Sequence, residues 1–275
     1  MNAKGVIFIL LIFCNCSVVC FSQGKIEKSK DDLKRGSSKE RSRGRRSASS
    51  SSCDWDNPFL ELAGKAFLYI SYYSFIGNYG EEYHLHSDLT RHPYYNGWSG
   101  NYESSDSLPA ERRRFRLDIE NKLLYDLADL GGNHLKAKIR PFQYFYMQTD
   151  YFQLIEIVRP QESVSSLALF NFTFCYDRLR FEKFNLGWAL GVNYVASDVQ
   201  KVGISAGLNA EAFLFKNLSL YGSMKWGSVN HSPVNELEIQ FRVHKNRYFY
   251  TVGYEHLKIG LPTYNFLAAG VGIYF

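Results

Sequence analysis

The chain has 275 residues, is 16% aromatic with 20 Tyr and 21 Phe, and carries a formal net charge of +5. That aromatic richness excludes a disordered protein, and the length is ordinary for one barrel-sized domain. Residues 24–46 hold ten Lys/Arg against four Asp/Glu, so the basicity belongs to a short tail and gives no nucleic-acid reading of the folded part.

Residues 1–22 read as a signal peptide. Lys4 supplies the positive start, residues 6–14 a short apolar run, and Cys20 and Ser22 flank a cut before Gln23. Phe13, Asn15 and Val19 precede Cys14, Cys16 and Cys20, a pattern unsuited to lipid attachment. Cys53 and Cys175 remain after cleavage, and an oxidising compartment would allow them to pair. Residues 23–52 are rich in Lys, Arg and Ser, ending in the serine run 49–52. With almost nothing apolar to bury, they are expected to form a disordered periplasmic tail. The run Arg41-Ser-Arg-Gly-Arg-Arg46 is a solvated tether or a contact for phosphate or anionic glycan.

From residue 53 to 275 the pattern is that of strands with two unlike faces. Phe115, Leu117, Ile119 and Leu123 alternate with Arg116, Asp118, Glu120 and Lys122, and Asp126 continues the polar row. Residues 131–133 predict a tight turn, after which Leu135, Ala137 and Ile139 alternate with Lys136, Lys138 and Arg140. Further on, Glu211, Lys225, Glu236, Glu238 and Arg242 occupy polar rows opposite Leu208, Met224, Leu237 and Phe241. Bulky apolar residues suit lipid, and small or charge-paired residues suit a narrow lumen. No later apolar run is long enough for a membrane helix.

The expected fold is all-β, a transmembrane antiparallel up-and-down β-barrel. Its strands fall near 65–76, 112–128, 134–148, 164–177, 184–197, 202–215, 218–228, 235–245, 248–259 and 264–275. That is ten, with eight as the alternative because 65–76 and 248–259 alternate less cleanly. Pro141 interrupts a strand and predicts a bend. With ten strands, both termini share one side, turns at 131–133, 216–217 and 244–247 lie there too, and 77–111 is the longest outer loop.

The last strand ends Gly270-Val-Gly-Ile273-Tyr-Phe275. This resembles the carboxy-terminal assembly signal of outer-membrane β-barrel proteins: a glycine (Gly270), a hydrophobe (Ile273) and a final aromatic residue (Phe275). The resemblance covers 264–275 by motif and 65–275 by pattern. It implies a place in the outer membrane of a Gram-negative-type cell, contact with outer-membrane lipid, and assembly by the barrel-insertion machinery.

The 77–111 loop concentrates Glu81, Glu82, His84, His86, Asp88 and His92. Imidazoles two residues apart share a strand face, but no further ligand frame accompanies them, so neither metal nor cofactor is expected. Tyr94, Tyr95, Trp98 and Tyr102 either meet an extracellular ligand or join a membrane-interface girdle. Ser87 with the nearby histidines, and Ser232 with His231, are the serine–histidine candidates. Neither resembles lipid A deacylases, palmitoyl transferases or omptin-type proteases. The sequence thus favours a structural or surface-interaction barrel with its lumen plugged by paired charges. The alternatives are a narrow channel and a rim-located lipid-modifying or hydrolytic enzyme.

Overall fold

The two-faced strands close on themselves. The computed structural model describes residues 24–36, 69, 72–104, 115–126, 130–158 and 163–275, and ten antiparallel strands form one closed barrel. A short ribbon, β1 (Asp88–Leu89) with β2 (Tyr102–Glu103), precedes it. The barrel strands are β3 (Arg116–Asp126), β4 (Leu130–Arg140), β5 (Phe145–Val158), β6 (Ser163–Phe181) and β7 (Phe184–Val195). They continue with β8 (Lys201–Phe215), β9 (Leu218–Val229), β10 (Ser232–Lys245), β11 (Tyr248–Ile259) and β12 (Thr263–Tyr274). Strands β12 and β3 close the ring, and just past them the Phe275 N–H donates to the Leu117 carbonyl at 2.8 Å.

The direction of the faces follows the expected pattern. Arg116, Asp118, Glu120 and Lys122 are buried, while Leu123 and Ile204 on the opposite faces are 67% and 75% exposed. Charge points inward and bulk apolar surface points outward. A soluble barrel would bury its apolar face instead.

Three features depart from the sequence pattern. Residues 72–75 are helical rather than part of a strand at 65–76, and 145–158 form a full strand where the expected strands stop at 148 and resume at 164. The loss and the gain cancel, so ten strands remain. Strand β5 hides from the pattern because its inner face carries Phe152 and Leu154 and its outer face carries Thr149 and Gln153. Residues 131–133 lie inside β4, and Pro141 falls in the connection between β4 and β5 instead of bending a strand.

Removing a strand before residue 77 moves the following segment to the other mouth. The Gly100 N–H donates to the Glu182 carbonyl, and the Tyr94 hydroxyl to the Leu218 carbonyl. Both acceptors lie at connections on the same end as Phe275. Residues 77–104 therefore cover the carboxy-terminal mouth and are not an outer loop opposite it.

The opposite mouth is closed by a helix, α1 (Lys25–Arg35). These tail residues, expected to be disordered, bury Ile26, Ser29, Lys30 and Leu33, which are the i, i+3, i+4, i+7 positions of one helical stripe. Ile26 and Leu33 pack into an apolar cluster with Phe152, Leu154, Leu257 and Phe266 from the barrel wall. The barrel also caps both helix ends. Glu156 accepts the N–H groups of Lys25 (3.2 Å) and Ile26 (2.9 Å), while the Asn230 amide donates to the carbonyls of Leu33 (2.7 Å) and Lys34 (3.1 Å). A carboxylate at the start and a donor at the end satisfy groups that a helix leaves open.

Candidate functional site: a closed, ion-paired lumen

Period-two alternation aims charged side chains from eight of the ten strands at the axis, and the closed ring brings them together. Nearest the carboxy-terminal mouth, Arg116 Nε meets Asp118 at 2.8 Å, and its Nη2 donates to Asn101 Oδ1 at 2.8 Å. Arg140 meets Asp177 at 2.9 Å. One layer deeper, Arg242 bridges Glu120 (2.9 Å) and Glu211 (3.3 Å). At mid-barrel, Lys122 and Lys136 each donate to Glu238 at 2.5 Å, and Lys122 also donates to Glu255. Lys225 joins Asp150 (2.7 Å) to Glu236 (3.3 Å), and His134 stands between Asp150 (3.2 Å) and Glu255 (3.0 Å).

Of the charged positions singled out in the sequence, these layers contain Arg116, Asp118, Glu120, Lys122, Lys136, Arg140, Glu211, Lys225, Glu236, Glu238 and Arg242. Lys138 also faces inward, but its ammonium lies over the rings of Tyr221 (4.5 Å) and Tyr146 (5.9 Å) rather than on a carboxylate. Asp126 is half-buried at the opposite rim and lies outside these layers. His134, Asp150, Asp177 and Glu255 were not singled out. Asp150 sits on the unrecognised β5, and Glu255 on the strand whose alternation is weakest.

His134, Glu238 and Glu255 place ligand-type atoms within 4.8 Å of one another. The two lysine ammonium groups already sit on those carboxylates, so this donor set is committed to ion pairs. The remaining space near Arg116, Glu120, Lys138, Arg140 and Arg242 is about 20 Å³, room for a single water. Cys175 also faces this interior, 3.7 Å from Thr173 Oγ1; Cys53 lies outside the described residues.

The aromatic contact candidates divide. Tyr102 is fully buried and donates to Asp177 at 2.6 Å, and burial beside that carboxylate holds its hydroxyl well above the usual tyrosine range. Tyr94 is tied down by its bond to Leu218, and burial pushes its hydroxyl to about 12. Only Tyr95 and Trp98 are largely exposed, and all four stand at the carboxy-terminal mouth. Gly100 lets this segment cross the opening, since a Cβ there would lie 2.1 Å from the Phe213 ring.

The histidines do not converge. His84 stacks on Phe181 at 4.5 Å and is held below its ordinary value by burial, whereas His86 Nε2 contacts the Tyr79 carbonyl at 2.7 Å. Among the described residues no side-chain hydrogen bond joins Ser87 or Ser232 to a histidine; the Ser87 N–H donates to the His84 carbonyl at 3.4 Å, and the Ser232 hydroxyl donates to the Asp32 carbonyl. A different pair does form, Ser219 Oγ with His244 Nε2 at 2.8 Å. Ser219 is fully buried and His244 nearly so beneath the covering segment, without access for a substrate.

The helical cap carries a pH signature. Ser165 and Lys30 hold the Glu27 carboxyl below its usual range, and Lys30 does the same for Asp198. Lowered carboxyl values stabilise docking above the usual carboxylate range, and that contribution disappears as pH falls through the lowered values. A fluorophore placed by Lys28→Cys is therefore expected to gain mobility on acidification from pH 7 to 3. Unchanged anisotropy would remove these pairs from the docking interaction.

No family model matches the chain, and no curated protein matches it in sequence. Among solved structures it is similar to an outer membrane channel from Pseudomonas putida F1, with 7% identity, a TM-score of 0.35, and coverage of 63% of this chain and 99% of that one. It is also similar to Ail, the attachment invasion locus protein of Yersinia pestis, with 13% identity, a TM-score of 0.30, and coverage of 58% and 97%. At these scores the likenesses are distant, and the barrel assignment rests on the strand register itself.

Proposed function

We propose that the chain is an outer-membrane barrel of a Gram-negative-type envelope, non-conducting and non-enzymatic, with a structural or surface-interaction role. The observation that carries this reading is the inside-out distribution: apolar side chains cover the outer wall while opposite charges neutralise one another along the axis. Lipid solvates the first, and the second needs a closed interior. Barrel strands of 11 residues or more reach the nine to eleven or so that a tilted strand needs to cross hydrocarbon.

The Gly270, Ile273 and Phe275 ending supports assembly by the barrel-insertion machinery, with the carboxy-terminal mouth toward the periplasm. That orientation puts α1 at the outer mouth, not in the periplasm. Its exposed Lys28, Asp31, Lys34 and Arg35, with the short connections 196–200, 230–231 and 260–262, then form the surface met by an extracellular ligand. Tyr95 and Trp98 face the periplasm.

In planar bilayers the purified protein is expected to produce no discrete conductance steps, and regular steps would overturn the sealed-lumen reading. Lipid profiles of envelopes with and without the protein are expected to coincide. A new or missing acylated species would restore the enzyme alternative.

A further inference from the structure

The outer wall has a notch. Gly131 is the outward position of β4 flanked by its register partners Tyr125 on β3 and Ile155 on β5. With no side chain between those two, the wall opens into a groove of about 490 Å³ reaching Ile157, with Asp126 at its rim and Asn133 and Gln153 at its inner end. That volume lies in the range of small-molecule sites.

The inner end carries two polar side chains on a wall that is mostly apolar, with Asn121 and Thr149 as other exposed polar positions nearby. Asn133 and Gln153 are direct register partners. Asn133 Nδ2 donates to the Lys122 carbonyl at 3.2 Å, which leaves its Oδ1 as an acceptor. Gln153 Oε1 accepts from the Tyr151 hydroxyl at 2.6 Å, which leaves its Nε2 as a donor. One acceptor and one donor stand side by side on a surface bathed in lipid, where polar groups without partners are costly. A secondary amide satisfies both at once, its N–H to Asn133 and its C=O to Gln153. An ester offers only the acceptor. Leu123, the register partner of Asn133 on β3, stands beside the pair and Leu135 below it, both exposed apolar wall and a path for an acyl chain. Above it, Tyr125 and the Asp126 carboxylate favour a head bearing hydroxyls or an amine.

We propose that this groove binds one amide-linked lipid: linkage on Asn133 and Gln153, chain along Leu123 and Leu135, head over Gly131. The inference rests on the membrane-spanning reading above. Its test uses the full chain in phosphatidylcholine nanodiscs doped with sphingomyelin, which shares the choline head but has an amide in place of an ester. Lipid retained on the released barrel is counted by native mass spectrometry.

Wild-type protein is expected to retain one sphingomyelin with about tenfold preference over phosphatidylcholine, the worth of roughly one to two added hydrogen bonds. Gly131→Leu fills the groove, and a Cβ at this position meets nothing nearer than 3.6 Å, so this variant is expected to insert normally and lose the bound lipid. Gln153→Leu is expected to remove the preference. Equal retention of the two lipids, or retention unchanged by Gly131→Leu, overturns the proposal. Failure of the wild-type barrel to enter nanodiscs at all would overturn the membrane reading itself, which separates the two.

Discussion

Replacing Glu238 with Leu is expected to destabilise the barrel by about 3–5 kcal/mol, the usual cost of leaving a buried charge without its partner. Glu238 is fully buried and accepts from Lys122, Lys136 and the Gln240 amide, each at 2.5 Å. Lys122 keeps Glu255 when Glu238 is lost, but Lys136 is then 4.0 Å from its nearest remaining acid, Asp150. The penalty therefore concentrates on Lys136. The double variant Glu238→Leu with Lys136→Met also removes the ammonium left unbalanced and is expected to recover at least half of the loss. Urea unfolding in detergent micelles, followed by the gel-mobility shift of the folded barrel, reads both variants. A Glu238→Leu cost below about 1 kcal/mol, or a double variant worse than the single, would mean that the central layer is not what holds the wall together.

Most of that layer was legible in the sequence because lipid outside and ion pairs inside impose a clean alternation. Rows such as Arg116, Asp118, Glu120 and Lys122 need no tertiary information to be seen. Legibility fails where the lumen stops being polar. At the α1 mouth the barrel wall turns Phe152, Leu154, Leu257 and Phe266 inward against Ile26 and Leu33, so both faces of β5 are mixed there and the alternation disappears. Missing β5 hid Asp150, which lies between His134 and Lys225. The opposite error, a strand at 65–76, came from an aromatic-rich stretch whose described part is helical. Because these two errors cancel in the strand count, the total looked right while the mouth covered by 77–104 was inverted. Helix α1 was hidden for another reason. It has only two apolar residues in its buried stripe, and its caps come from Glu156 and Asn230, more than a hundred residues away in sequence.

That economy makes α1 sensitive to substitution. Ile26 and Leu33 are both fully buried, and each such side chain contributes about 1.5–3 kcal/mol. The variant Ile26→Asp with Leu33→Asp is thus expected to lose about 3–6 kcal/mol of docking free energy. At one factor of ten per 1.4 kcal/mol, the undocked fraction rises on the order of 10²- to 10⁴-fold. Trypsin cleavage after Lys28, Lys34 and Arg35 measures that rise directly, since a docked helix holds its backbone out of reach of a protease. A change smaller than tenfold would show that the polar caps, and not the two apolar side chains, hold the helix. Conductance separates its role from that of the lumen. The layers around Arg242, Glu238 and Asp150 lie beneath α1 and depend on no atom of it, so the undocked variant is expected to stay silent in planar bilayers. Current through that variant alone would make α1 the gate and the ion pairs a lining. Silence makes the charged layers the barrier and leaves α1 as a separable face on the outer mouth.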